Sequence, residues 1–125
     1  MNRNIYYKDD IKPNLVRELT AATERIYLAT GWIADNSLLG LLQKKAMEGV
    51  IVKMVFIKDK YNQKRAADYQ QLVQQGVEIV WLDTSEREKL IDHKFVVMDA
   101  QRVITGNYNW GHRNPPQEEF LTITT

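Results

Sequence analysis

The sequence predicts an α/β fold built on a mixed sheet, parallel in its first half and antiparallel in its second, with helices packed against it. Three observations carry that expectation. Segments with helical periodicity alternate with short apolar runs as far as Leu82. One of those runs, VIVKMVFI from Val50 to Ile57, is nearly all apolar, which suits a strand covered on both faces. Beyond Leu82 the rhythm changes to short alternating segments joined by a tight turn, the pattern of an antiparallel hairpin.

Each element follows from its own residues. Ile11, Leu15, Leu19 and Ala22 recur at close to four-residue spacing after KDD, and Pro13 is tolerated in a first turn, so a helix is expected from about Ile11 to Glu24. RIYLATGW then reads as a strand. DNSLLGLLQKKAMEG offers an N-cap at Asp35 or Asn36, leucines on one broad face and Gly49 as a stop. After the apolar strand, QKRAADYQQLVQQG repeats the helix-then-glycine pattern and VEIVWL the strand. DTSEREK is a polar connection, IDHKFVVMD a strand, AQ a turn and RVITG the strand that pairs back. NYNWGHRNPPQ reads as a loop and EEFLTITT as a last strand. Trp32, Trp81, Trp110, Tyr69 and Tyr108 are expected in the core or on its rim, with Tyr108 and Trp110 flanking the motif.

Composition narrows the function classes. A chain of 125 residues, 44% hydrophobic and 26% charged, matches one domain with one core spanning residues 1–125. Seventeen basic against 16 acidic residues give a net charge of +1, so any anion-binding patch must be local. The absence of cysteine removes disulfides and thiolate chemistry and fits a reducing compartment. With only two histidines, no metal or other cofactor is expected. MNRNIYYKDD lacks a signal pattern, and no apolar run nears the roughly 18 residues of a transmembrane segment, so a cytoplasmic location is expected.

The chemistry concentrates in IDHKFVVMDAQRVITGNYNW, Ile91 to Trp110. Strand alternation puts Asp92, Lys94, Val96 and Met98 on one side and His93, Phe95 and Val97 on the other. Asp99 ends this strand, and the returning GNYN segment is expected to bring Gly106, Asn107 and Asn109 near the same end, with Glu118 or Glu119 joining from the last strand. A lysine and amide donors converging on a small volume suit a phosphate oxyanion. Upstream, KDKYNQKR puts Lys58, Lys60, Lys64 and Arg65 after a strand's C-terminal end, where open α/β sheets often bind ligands; a solvated helix entrance explains the same residues.

At these residues the chain resembles the phospholipase D superfamily, whose signature is His-x-Lys, four residues, Asp, a short turn, Gly-Ser-x-Asn and a later Glu. The order of elements is similar to its compact one-motif members, bacterial endonucleases and the mitochondrial cardiolipin hydrolase type. The resemblance implies a phospholipase D-like fold and places Asp92, Lys94, Asp99 and Glu119 at catalytic positions, with Glu118 as the alternative to Glu119. Lys94, Asn107 and Asn109 fall at phosphate-binding positions, Asn107 where the family has serine. The position of the nucleophilic histidine is held by Asp92. Beside Lys94 an aspartate is held ionised and is a poor proton donor, and loss of a general acid typically removes 10²–10⁴ in rate. Because family sites combine two motif copies, a one-copy chain is expected to form a homodimer. Three functions follow: an impaired domain that binds a phosphodiester of nucleic acid or a phospholipid headgroup, a metal-independent phosphodiesterase or nuclease using Asp92 or His93, and a scaffold or dimerisation module.

Overall fold

Strands and helices follow one another as β1 (Asn4–Tyr7), α1 (Ile11–Thr20), β2 (Arg25–Gly31), α2 (Asn36–Met47), β3 (Ile51–Ile57), α3 (Lys60–Lys64), α4 (Ala66–Gln74), β4 (Glu78–Leu82), β5 (Lys94–Met98), β6 (Arg102–Gly106) and β7 (Leu121–Thr124). The computed structural model describes residues 4–83, 85, 94–108, 110 and 119–125. Within them the strands form one sheet of order β1-β7-β6-β5-β2-β3-β4. β2, β3 and β4 are parallel. β5 runs antiparallel to β2 and opens the antiparallel half with β6, β7 and β1. The mixed sheet read from the changing rhythm is therefore the one observed.

Helix periodicity meets strand alternation in one core. Leu15 and Leu19 of α1, Leu38 and Leu42 of α2 and Tyr69 and Leu72 of α4 are buried with Ile26, Leu28, Met54, Phe56, Val96, Met98, Ile104 and Ile123 of the sheet. Truncating a fully buried leucine such as Leu42 in such a core costs about 2–5 kcal/mol, because the lost transfer energy is joined by an unfilled cavity. Asp35, in extended conformation, caps α2 by accepting from the amides of Ser37 and Leu38 at 2.9 and 3.3 Å. Near the end of α1, the buried Lys45 of α2 donates to the Thr20 carbonyl at 2.9 Å.

Four expectations are corrected. β3 is not covered on both faces: Ile51 is 52% exposed and Lys53 lies open beside Tyr27. Only its far end is covered on the second face, by a small cluster of Ala29, Trp32 and Ile57 with Tyr61 and Leu82 against it. α1 stops at Thr20 rather than near Glu24, because the amides of Thr23, Glu24 and Arg25 bond to the Asp99 carboxylate. The single helix expected from Gln63 is two, broken at Arg65, whose φ of −106° is not helical and whose guanidinium donates to the Ile33 carbonyl at 2.7 Å. β1, unpredicted, is an edge strand held by β7 alone.

Candidate phosphodiester site

The motif hairpin has two dissimilar ends. β5 pairs with β6 from Lys94↔Gly106 to Met98↔Arg102, so Lys94 and Asp99 lie at opposite ends of the strand. At ~3.4 Å per residue, their main chains are about 17 Å apart. The expectation that Asp99 shares an end with Gly106 and Asn107 is thereby corrected: in an antiparallel hairpin, the residue at the turn lies farthest from the strand's start.

At the turn end, Asp99 and Ala100 both have positive φ, 56° and 55°, and the Gln101 amide closes the turn on the Met98 carbonyl at 3.1 Å. Aspartate tolerates this conformation better than most residues. Its carboxylate accepts from the amides of Thr23 (3.0 Å), Glu24 (2.7 Å) and Arg25 (3.0 Å), while its own amide donates to the Arg25 carbonyl at 2.9 Å. Arg102 lies 3.8 Å away and also pairs with Glu18 of α1. Burial raises the Asp99 pKa, but the amides and Arg102 outweigh it and leave the carboxyl below its ordinary value. Asp99 therefore ties the hairpin turn to the start of β2.

At the open end, Lys94 is 4% exposed and on the helix-bearing face with Val96 and Met98, as strand alternation requires. Gly106 opposite it pairs in turn with Leu121. A side chain at Gly106 would collide with the Phe120 carbonyl oxygen, which explains glycine there. Asn107 accepts from the Phe120 amide at 2.8 Å through Oδ1 and so fastens the end of β6 to the segment carrying Glu119. Burial, then the carboxylates of Asp35 and Glu119, pushes the Tyr108 hydroxyl above its ordinary pKa. Trp110 is buried, and its carbonyl accepts from the amides of Ala34 and Asp35 at 3.0 and 3.1 Å, joining the motif loop to the start of α2.

The structure thus gathers Lys94, Gly106, Asn107, Tyr108 and Glu119 at one end and takes Asp99 to the other. Asp92, Asn109, His93, Glu118, His112 and Arg113 lie outside the described residues. Two charged neighbours escaped sequence reasoning. Asp35, read only as a cap, also pairs with Lys12 at 2.6 Å; burial opposes its ionisation, yet Lys12, Ser37 and the helix amides bring its pKa down to about 2. Its proximity to the motif arises through Trp110, a contact across 75 residues of chain with no local signal. The cavity beside Lys94, lined also by Gly106, Tyr108, Trp110 and Leu121, has a volume of about 10 Å³, on the order of one water site. Among the described residues no cluster of histidine and carboxylate side chains is arranged to hold a metal, and no helix is long and apolar enough to cross a membrane.

Known proteins share this architecture. The family model described as "Cardiolipin synthase, PLD-like domain" matches residues 15–124. A phospholipase D of Rickettsia typhi is 29% identical over 96 residues, 77% of this chain; the match spans only 45% of that relative's length. NucT from Helicobacter pylori superposes with a TM-score of 0.80 at 15% identity, covering 99% of this chain and 86% of NucT. Nuc from Salmonella typhimurium, a phospholipase D family member, gives 0.75 at 16% identity, with 99% of this chain and 82% of Nuc covered. With the mixed sheet, the buried lysine and the glycine-asparagine return strand in place, the chain belongs to the phospholipase D-like domain family.

Proposed function

We propose that this phospholipase D-like domain binds a phosphodiester and is catalytically impaired. The observation that carries the reading is Lys94, a buried lysine at the start of β5 paired across the hairpin with Gly106; by the motif's spacing, Asp92 takes the nucleophile's position. Lys94, Asn107 and Asn109 supply the cation and donors for phosphate oxygens, and Glu119 borders them. Asp99 serves from a distance, by holding the hairpin on β2. The small volume beside Lys94 supports a site completed by a second copy, and we place the binding assembly as a two-fold homodimer in the cytoplasm.

One observation favours a second reading, the scaffold. Asp99 and Asn107 both give side-chain oxygens to backbone amides, as purely structural residues would.

The test is hydrolysis of a chromogenic bis-phosphodiester, single-stranded DNA, RNA and cardiolipin in the presence of chelator. Wild type should be at least 10²-fold slower than Asp92→His, since the substitution restores both the nucleophile and the proton donor. Robust wild-type turnover that survives Asp92→Asn and dies with His93→Ala would make His93 the nucleophile and the domain an active enzyme. Absence of both turnover and phosphate binding would leave the scaffold. Sedimentation at micromolar concentration checks the dimer against the 14.6 kDa monomer.

A further inference from the structure

The lysines of KDKYNQKR take no part in the motif, yet Lys58 shares a groove with an exposed aromatic ring. Lys58, Lys60 and Lys64 are exposed and have no acidic partner among the described residues. Lys58 lines a groove of about 190 Å³ between the end of β4 and the α3–α4 pair, together with Asp59, Asn62, Gln63, Ala66 and Trp81; Lys60 and Lys64 belong to α3. Trp81 is 42% exposed although its ring also packs on Phe56 and Tyr69, at 5.9 and 5.7 Å between centroids. The ring is thus held rigidly and still presents a surface.

The other polar groups of the groove are already occupied. Asp59 accepts from the Trp32 indole at 2.6 Å and from the Asn62 amide at 2.9 Å. Asn62, 1% exposed, donates to the carbonyls of Gly31 and Ile57, which end β2 and β3, and accepts from the Tyr69 hydroxyl at 2.8 Å. What remains for a ligand is an aromatic face, the Lys58 ammonium and the Gln63 carboxamide. A planar ring attached to an anion satisfies that set.

Sheet register places the groove relative to Lys94. Phe95 pairs with Ala29, while Gly31, Phe56 and Trp81 form one row across β2, β3 and β4, so Lys94 and Trp81 lie at nearly the same level. Alternation puts both on the helix-bearing face. Three strand spacings of ~4.8 Å separate them, about 14 Å, which about four nucleotides span even at the 3.4 Å rise of a stacked strand.

We infer that the groove at Trp81 is a nucleobase ledge for single-stranded nucleic acid: a strand whose phosphate lies at Lys94 stacks one base on Trp81 and sets a neighbouring phosphate against Lys58. This rests on the phosphodiester reading and names its substrate class. A duplex hides its base faces from such a ring, and a lipid headgroup carries no flat ring to fill it. Asp83, exposed just past β4, opposes the anion, and Asp83→Asn is expected to tighten binding.

The experiment follows a labelled ten-residue oligothymidylate by anisotropy, and inorganic phosphate by calorimetry, both with chelator at low salt. Trp81→Ala should weaken the oligonucleotide by roughly tenfold and leave phosphate unchanged, with Trp81→Phe retaining most of the affinity. Lys58→Gln, a surface change that spares the fold, should lower the salt-dependence slope by about one. Lys94→Ala should lose both ligands. Oligonucleotide binding that needs Lys94 but ignores Trp81→Ala and Lys58→Gln overturns the ledge and keeps the phosphodiester reading. Phosphate and oligonucleotide binding both indifferent to Lys94→Ala overturns that reading itself. Trp81-dependent binding to cardiolipin-containing vesicles, with none to the oligonucleotide, overturns the ledge in favour of lipid.

Discussion

The two ends of the β5–β6 hairpin belong to one motif but stand in different surroundings. At the turn, Asp99 satisfies three backbone amides from the start of β2 and stands beside Arg102. At the strand start, Lys94 sits buried opposite a glycine, next to a segment that Asn107 holds in place. A carboxylate surrounded by amides of its own chain works for folding. Burying an ammonium costs desolvation energy. The difference shows that residues of one sequence motif can stand in unlike surroundings at the two ends of a strand.

The largest effect should come from the turn. Asp99→Ala strips a charged acceptor from three amides and is expected to cost about 3 kcal/mol or more, read as a lower urea midpoint with an unchanged slope. A loss below about 1 kcal/mol would mean that water replaces the carboxylate, and the contrast between the ends would fail.

Acid sharpens the same contrast with an intermediate effect. Asp35 has its pKa lowered from 3.8 to about 2, and that of Asp99 is lowered too. A carboxyl with a depressed folded pKa stabilises above its unfolded value, and the contribution is lost as pH falls through the folded value. Thermal midpoints should therefore hold from pH 7 to about 5 and fall between about pH 4 and 2. Asp35→Asn keeps a capping oxygen while removing the charge, so it should shrink that fall and cost about 2 kcal/mol at pH 7. An unaltered acid slope in the variant would assign the acid sensitivity to other carboxylates.

The smallest effect on stability should come from the open end. Lys94→Met removes the desolvation cost of a buried cation and keeps a chain of similar length, so it is expected to cost less stability than either carboxylate change while abolishing phosphate binding. Calorimetry and urea unfolding on the same preparation decide it. A large destabilisation would move Lys94 into the same class as Asp99.

Much of the architecture was legible in local chemistry. Four-residue apolar spacing announced α1 and α2, Asp35 marked a cap that the structure uses, and the switch to short alternating segments after Leu82 marked the parallel-to-antiparallel change. These signals lie within a few residues of what they describe, because helix and strand periods bring burial directly into the order of residues. Strand alternation likewise put Lys94 on one face with Val96 and Met98, as the structure has it. Other features depended on residues far apart in the chain. The helix end at Thr20 is decided by a carboxylate more than 70 residues later, and the break at Arg65 by the carbonyl of Ile33. β1 exists because β7 offers it an edge, with Ile5 and Tyr6 left 38% and 59% exposed and no buried alternation to betray it. The same holds for the motif: spacing put Asp99, Lys94 and Gly106 together, but only the antiparallel register of β5 and β6 set Gly106 beside Lys94, about 17 Å from Asp99, because pairing between strands is decided across the sheet while spacing is decided along the chain.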